Sequence, residues 1–295
     1  NTRKENIRLV HDTLLHLFQQ VASGRGEITP EEVKRLGEES RKGLGTTDLE
    51  ASPLQTALEE AVADVGCPVA LRVEDEASQL VALMLADAPL EGRDERWLDL
   101  CAGPGGKAAL LGARAAQCGA RLVANEVAPH RARLVEASVR ALPPDAVEVR
   151  CGDGRLLGRN EPGRYDRVLV DAPCSGLGSL RRRPEAGWRR SPRDVAELAS
   201  LQRELLAGAL TAVRPGGVVA YATCSPHVLE TEYAVRDAIK KLRGDGVRVE
   251  VLRAGDIAGG IAPRPLAGAD REMLQLWPHL EGTDAMFCAL LRRTI

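Results

Sequence analysis

The chain has 295 residues, of which 44% are hydrophobic and only 3% aromatic, and its formal net charge is -2. The length suits one catalytic domain with a smaller appendage. The balanced charge excludes a global basic field, so a nucleic-acid partner would need a local patch. The low aromatic content argues against a broad base-stacking platform. Seven cysteines without a C-x-x-C pair favour reduced thiols over a disulfide framework or a metal site.

The first seventy residues have helical patterns but no chemical motif. Ile7, Val10 and Leu14 recur at helical spacing, and Thr29-Pro30-Glu31-Glu32 combines a capping hydroxyl with a first-turn proline and an acid. We predict a small helical region over residues 1–70, either structural or used to dock RNA, and a catalytic domain over residues 71–295. No apolar run approaches the ~20 residues of a membrane span, and no signal-peptide pattern opens the chain. We therefore expect a cytoplasmic protein without a membrane partner.

Strand and helix patterns alternate after residue 95. Apolar runs predict strands near residues 96–100, 121–126, 146–150, 166–171 and 217–223, with helices between them. Pro129 should start one helix, and the Ser191-Pro192-Arg193-Asp194 cap should start a long one that runs to Val213. Two late strands, near 247–252 and 285–291, would form an antiparallel edge pair. The alternation predicts an α/β fold with a doubly wound, mostly parallel sheet.

A glycine-rich turn follows the first of these strands. Gly103-x-Gly105-x-x-Ala108 fits the loose G-x-G-x-x-G/A spacing of nucleotide-binding loops. The next strand ends at Glu126, twenty residues after Gly106, where an acid can accept both ribose hydroxyls. The sequence thus predicts a nucleoside-containing cofactor, and these features alone leave NAD and S-adenosylmethionine as alternatives.

Two cysteines and an acid follow neighbouring strands of the predicted sheet. Asp171 ends one strand and is followed by Ala172-Pro173-Cys174, and Cys224 follows the strand near 217–223. All should converge where ligands bind in open α/β sheets. Addition of a thiolate to carbon 6 of cytosine makes carbon 5 nucleophilic enough to accept a methyl group, and a second group must then handle a proton. The pattern favours this chemistry, with Asp171 placed to hydrogen-bond the base.

Three segments, LDLCAGPGGK, LVDAPCSGLGSLRRRPE and YATCSPHVLETE, resemble the signature segments of the RNA (cytosine-5) methyltransferases. This is the NOL1/NOP2/Sun family, which includes the bacterial 16S ribosomal RNA methyltransferase B (Sun or Fmu type). The similarity runs from about Val73 to the C-terminus. It implies a Rossmann-like methyltransferase fold that uses S-adenosylmethionine and releases S-adenosylhomocysteine.

The resemblance also implies roles for residues around the cofactor. Glu126 would contact the ribose, Asp153 would lie near the adenine, and Asp171 would lie close to both the methyl donor and the base. Arg131 matches a further position on the cofactor side. Position 126 is Glu where an Asp is common, which keeps the ribose contact with a longer reach. The implied cofactor loop consists of Cys101, Ala102, Gly103, Pro104, Gly105, Gly106 and Lys107.

The resemblance assigns Cys224 as the nucleophile and Cys174 as a second cysteine that helps to release the product. DNA cytosine-5 methyltransferases instead attack with the cysteine of a Pro-Cys pair, which by local sequence would be Pro173-Cys174. The residues alone therefore leave both thiols open as the attacking group. Whichever attacks must be ionised against a free-thiol pKa of ~8.5, and Lys107 or a nearby arginine could assist.

A basic cluster follows the Cys174 loop. Beside the mouth of the predicted site it favours a phosphate-binding patch, with Trp188 as a stacking partner, over a solvated charged face. Its RNA-binding residues would be Arg181, Arg182, Arg183, Trp188, Arg189 and Arg190.

Together these features predict an S-adenosylmethionine-dependent RNA (cytosine-5) methyltransferase that acts through a covalent cysteine adduct. The expected substrate is ribosomal RNA, in particular 16S rRNA, and tRNA is the alternative. A non-catalytic RNA-binding ribosome assembly factor is a rival interpretation, which the intact Cys224, Cys174, Asp171 and Lys107 weigh against. A nicotinamide-dependent oxidoreductase is disfavoured because it has no need for paired cysteines. We expect no metal, and no pattern indicates an oligomeric state.

Overall fold

One mixed sheet with helices on both faces forms the described part of the chain. The computed structural model describes residues 75–262 and 264–294, so the helical region predicted over residues 1–70 lies outside it. The strands are β1 (Arg96–Asp99), β2 (Arg121–Glu126), β3 (Val147–Cys151), β4 (Tyr165–Asp171), β5 (Val213–Thr223), β6 (Val249–Leu252), β7 (Leu274–Gln275) and β8 (Phe287–Arg293). The helices are α1 (Glu76–Asp87), α2 (Gly106–Gln117), α3 (Pro129–Val139), α4 (Gly154–Asn160), α5 (Ala186–Arg189), α6 (Pro192–Ala212), α7 (Glu232–Gly244), α8 (Ala254–Ile261) and α9 (Pro278–Glu281).

The strand order is β3-β2-β1-β4-β5-β8-β6, and β7 pairs with β8. Strands β1 to β5 are parallel, whereas β8 runs antiparallel to β5, β6 and β7. The doubly wound sheet and the antiparallel pair formed by β6 and β8 are confirmed. Among the helices of residues 75–262 and 264–294, none is long and apolar enough to cross a membrane.

The strands alternate their side chains between two apolar layers, because successive residues of a strand point to opposite faces. Val168 and Val170 of β4 pack against helices α4, α6 and α7. Leu169 points the other way and joins the layer formed with α1, α2 and α8. Both faces of the central strands are therefore buried, as expected for a parallel sheet.

Local signals set the helix starts that matter for the site. Ser191 accepts a hydrogen bond from the Asp194 backbone N–H while Asp194 accepts one from the Ser191 N–H, which forms the predicted capping box of α6. Pro129 starts α3 as predicted. The boundary at Val213 differs, because α6 ends at Ala212 and β5 begins at Val213. Val213 pairs with Tyr165, and the register then shifts before Arg167 pairs with Val218. Strand β5 therefore includes an irregular segment whose sequence is typical of a turn.

The carboxyl ends of the parallel strands lie along one edge of the sheet. Strand β1 lies between β2 and β4, where the strand order reverses. In open α/β sheets ligands bind in the crevice at such a reversal. The loops that follow β1, β2, β4 and β5 therefore meet there and form the candidate site.

Candidate active site

The loop after β1 is bound to the end of β2 through Glu126. The carboxylate of Glu126, which is buried, accepts hydrogen bonds from the Gly103 N–H at 3.0 Å and the Ala128 N–H at 3.0 Å. Arg131 lies 3.7 Å from the same carboxylate, and its guanidinium also donates to the Gly103 carbonyl. A Cβ built on Gly103 would come within 2.3 Å of the Glu126 Oε2 atom, so only glycine allows this close approach. The predicted cofactor residues Gly103, Glu126 and Arg131 thus form one connected group.

Helix α2 begins directly after this loop. Gly105 caps it in the left-handed region with φ of 113°, and a Cβ at that position would meet the Ser138 Oγ atom at 2.6 Å. The loop therefore needs glycine both for its backbone conformation and for its packing against α3. No side chain caps α2 at Gly105, and the first turn of such a helix can receive an anionic or carboxylate-bearing ligand.

Lys107 and Asp171 join the cofactor loop to the end of β4. The Lys107 ammonium, in the first turn of α2, donates to the Asp171 Oδ2 atom at 2.8 Å. The exposed fractions of the two side chains are 11% and 29%. This largely buried ion pair leaves part of the Asp171 carboxylate accessible beside the thiols.

The two predicted cysteines face each other across neighbouring strand ends. Their Sγ atoms lie 3.2 Å apart, and we assign Cys174 as the donor. That hydrogen bond lowers the pKa of Cys224, and the Lys107 ammonium lowers it further, while burial and the Asp171 carboxylate oppose the shift. The same hydrogen bond, followed by burial, raises the pKa of Cys174 well above its usual range. The electrostatics thus favour the thiolate at Cys224 and the thiol at Cys174.

One buried carboxyl group at this edge is absent from the sequence predictions. Asp99 ends β1, is 1% exposed, and its Oδ1 atom has no hydrogen-bond partner among residues 75–262 and 264–294. Burial, and then repulsion from Asp171, raise the pKa of Asp99 to about 7, against opposing effects of Lys107 and the Cys101 N–H. Its position at the end of β1, equivalent to that of Asp171 on β4, is the sequence signal that could have identified it.

The remaining residues of the predicted cofactor site have structural partners of their own. Asp153 caps α4, accepting from the Arg155 N–H at 3.0 Å, and pairs with the Arg155 guanidinium at 2.6 Å. Burial and the neighbouring carboxylates raise the pKa of the Cys101 thiol well above its usual range, so this third cysteine stays protonated. Ala102 is buried, and its N–H donates to the Asn125 carbonyl at 2.8 Å.

The predicted RNA-binding residues fall into two groups. Arg181 pairs with Asp75 at 3.2 Å, and Arg182 pairs with Asp284 at 2.5 Å, where both carboxylates are almost completely buried. These two arginines therefore hold the loop after β4 against the start of α1 and the segment before β8. Arg190 donates to the Ser175 carbonyl at 3.3 Å, next to Cys174.

The other members of the basic cluster point towards solvent. Arg183 and Arg189 are exposed, and Trp188 is 75% exposed. An exposed tryptophan beside an arginine can stack on an unpaired base. Contact of this cluster with RNA remains a prediction.

Comparison with known proteins places the chain in a family. Residues 85–292 match the family model described as 16S rRNA methyltransferase RsmB/F. A Mycobacterium tuberculosis protein named as a methyltransferase is 55% identical over 222 residues, which are 75% of this chain and 46% of that protein. The ribosomal RNA small subunit methyltransferase F of Escherichia coli is 34% identical over 223 residues, covering 75% of this chain and 44% of its own length. The chain thus spans about half the length of these curated relatives.

A solved structure has the same fold. NSun6 from Pyrococcus horikoshii, crystallised with SFG, superimposes with a TM-score of 0.59 at 24% identity, covering 75% of this chain and 53% of that one. This likeness supports the Rossmann-like methyltransferase fold. The family model is that of S-adenosylmethionine-dependent methyltransferases, which confirms the predicted class of cofactor. The chain belongs to the 16S rRNA methyltransferase RsmB/F family.

Proposed function

We propose that this chain transfers a methyl group from S-adenosylmethionine to carbon 5 of a cytosine in RNA, and that small-subunit ribosomal RNA is its substrate. The observation that carries the proposal is the pair of thiols 3.2 Å apart, with the Lys107–Asp171 ion pair beside them. A methyltransferase acting on a hydroxyl or an exocyclic amine needs no cysteine, whereas carbon 5 of a pyrimidine requires a covalent nucleophile.

The residues at the carboxyl edge fit the proposed cofactor. The unpartnered Asp99 Oδ1 atom is a buried acceptor, suited to the cationic ammonium group of the amino-acid part. Glu126 would hold the ribose, exchanging one of its backbone donors for the sugar hydroxyls, and the first turn of α2 would receive the carboxylate. Asp153 would lie near the adenine, and Arg131 would keep Glu126 oriented. When bound, the cofactor supplies a methyl group on a sulfonium, an electrophile that needs no metal ion.

The two thiols have different roles in the proposed reaction. The Cys224 thiolate forms a bond to carbon 6 of the cytosine, and the electron pair displaced from the ring makes carbon 5 the nucleophile that takes the methyl group. A base next removes the proton from carbon 5, and the bond between sulfur and carbon 6 breaks as the ring recovers its aromatic character. Cys174, held as a thiol, assists this release, and Asp171 hydrogen-bonds the pyrimidine and favours the addition. The target base must be unstacked to reach the site.

A non-catalytic role in ribosome assembly is the alternative of a different class. It predicts RNA binding that does not depend on the thiols. The approach of the two thiols to 3.2 Å, which lowers the pKa of Cys224, favours the enzyme, because an RNA-binding protein gains nothing from an activated thiol. tRNA remains the alternative substrate, and the names of the Escherichia coli relative and of the family support ribosomal RNA.

The deciding experiment follows labelled methyl groups from S-adenosylmethionine into bacterial RNA that lacks 5-methylcytosine, with nucleoside analysis of the product. We expect labelled 5-methylcytidine in ribosomal RNA. Cys224→Ala should abolish transfer, whereas Cys174→Ala should accumulate a covalent protein–RNA adduct. The opposite pattern would reverse the two roles, and binding of RNA without transfer under any condition would favour the assembly factor.

A further inference from the structure

Each of the two cysteines with a proposed catalytic role is followed by a serine, and the two Cys-Ser pairs lie side by side. The loops that carry them extend from β4 and β5, which pair in register up to Asp171 and Ala222. The thiols of Cys174 and Cys224 are 3.2 Å apart. The hydroxyls of the following serines, Ser175 and Ser225, are 3.3 Å apart and buried. The contact between the two serines therefore depends on the relative position of the two loops that carry the thiols.

One buried carboxyl group receives both serines. Glu230 is 0% exposed, and its Oε2 atom accepts from the Ser175 hydroxyl at 2.5 Å and the Ser225 hydroxyl at 2.6 Å. Its Oε1 atom accepts from the Ser175 N–H at 2.8 Å and from Gln202 at 3.1 Å. Because the group takes donors from both loops, neither loop can slide without breaking a hydrogen bond to a buried acceptor, which is costly.

Further contacts fix Glu230 itself. Its backbone carbonyl accepts from the Tyr221 hydroxyl at 2.8 Å and the Thr223 hydroxyl at 3.4 Å, both on β5. Gln202 of α6 donates to the Glu230 side chain and also to the Pro173 carbonyl at 2.8 Å, one residue before Cys174. Glu230 is thus anchored to β5 through its backbone and to the Cys174 loop through two routes. No Lys, Arg or His donates to its carboxyl group among the hydrogen bonds and ion pairs of the described residues.

We propose that Glu230 is a positioning residue that holds the two cysteine loops in register and keeps the Cys174 thiol within hydrogen-bonding distance of the Cys224 sulfur. Its catalytic consequence rests on the proposed roles of the two thiols. Glu230 touches neither thiol and acts through Ser175 and Ser225. Loss of the register would remove the hydrogen bond that is the main cause of the lowered pKa of Cys224, and it would move the thiol that assists release away from the adduct.

The test measures the thiols directly, in the protein without RNA or cofactor. Iodoacetamide alkylation of Cys174 and Cys224 is followed by peptide mass spectrometry as a function of pH, and diamide is used to measure how fast the two thiols form a disulfide. In the natural protein Cys224 should react first, with a midpoint below that of an ordinary thiol. Glu230→Gln should raise that midpoint and slow disulfide formation. At a pH well below the midpoint, a rise of one unit reduces the thiolate fraction about tenfold.

Glu281→Gln is the matched control. Glu281 is also buried and accepts backbone N–H groups, from Ala267 at 3.0 Å and Trp277 at 3.1 Å, but it makes no hydrogen bond to the cysteine loops. The Glu281→Gln variant should lose thermal stability, as Glu230→Gln should, but its alkylation profile should remain that of the natural protein. If both variants keep that profile and the disulfide rate, Glu230 is a structural residue only and the proposal is overturned.

Two milder variants cover the case in which Glu230→Gln does not fold. Ser175→Ala and Ser225→Ala each remove one hydroxyl donor and leave the carboxyl group in place, and each should shift the Cys224 midpoint in the same direction. Methyl transfer by Glu230→Gln should fall about 100-fold, as expected for a misplaced reacting group. If the natural protein transfers no methyl group, the proposed function fails, whereas the thiol measurements still decide whether Glu230 sets the register.

Discussion

Asp99 provides a test of the electrostatics at the carboxyl edge, because its burial opposes its ionisation. The pKa of this carboxyl group rises from 3.8 to about 7 in the folded protein. Protonated Asp99 therefore stabilises the fold at low pH, and this contribution is lost as the pH rises through about 7. At 1.36 kcal/mol per pKa unit, the full difference is about 4 kcal/mol. Between pH 5 and pH 8 the free energy of unfolding should fall by about 2.5 kcal/mol because of this group.

The assay compares urea unfolding of the natural protein and of Asp99→Asn at pH 5 and pH 8. The amide is neutral at both values. The free energy of unfolding of the variant, relative to that of the natural protein, should therefore increase by about 2.5 kcal/mol from pH 5 to pH 8. Asp166→Asn is the control without pH dependence in this range. Two backbone N–H groups and the guanidinium groups of Arg93 and Arg214 lower the pKa of Asp166 despite burial, so its carboxylate is ionised at both values and its loss should cost the same at pH 5 and pH 8. A stability difference for Asp99→Asn that does not change with pH would refute the reasoning.

The other predictions concern the glycine loop and the basic cluster. Gly103→Ala should cost about 1–3 kcal/mol in urea unfolding and weaken binding of S-adenosylmethionine in calorimetry, because the new Cβ would lie 2.3 Å from the Glu126 carboxylate. Gly260→Ala, with no atom within 4 Å of its Cβ, should be neutral or stabilising, and equal losses at the two sites would contradict the steric argument. Arg182→Gln removes the arginine that is hydrogen-bonded to the buried Asp284 carboxylate and leaves Arg181 at 3.9 Å, so it should cost about 1–3 kcal/mol, the arginine being half exposed. Arg183→Gln should leave stability unchanged but lower the salt slope of RNA binding by about 0.7, and an unchanged slope would make that face a solvated surface.

Much of the architecture could be predicted because its causes are local. The apolar runs that end at Asp99 and Asp171 predict strands buried on both faces, since runs this short are typical of strands and too short for most helices. Pro129 and the pair formed by Ser191 and Asp194 predict helix starts, since capping depends on side chains within one turn. The start of β5 at Val213 could not be predicted in this way. It depends on pairing with Tyr165, a contact that is distant in sequence.

In the candidate site, too, features with local causes could be predicted and features that depend on distant contacts could not. The sequence predicts that Cys174 and Cys224 approach each other, because both follow parallel strands, and strand order limits where such loops meet. The sequence does not distinguish the two thiols. Their difference arises from the hydrogen bond between them and from Lys107, and both depend on side-chain positions in the folded chain.

The sequence by itself determined the α/β class, the glycine loop, the acid at the end of β2 and the pairing of cysteines, because each rests on residue type and spacing along the chain. Tertiary structure alone decided which charges and hydrogen bonds act on those groups. It made Asp99 a buried acid, directed Arg181 and Arg182 to the buried carboxylates of Asp75 and Asp284, and brought Glu230 between two loops. The physical reason is that desolvation and hydrogen bonding depend on distances of a few ångströms between residues far apart in sequence.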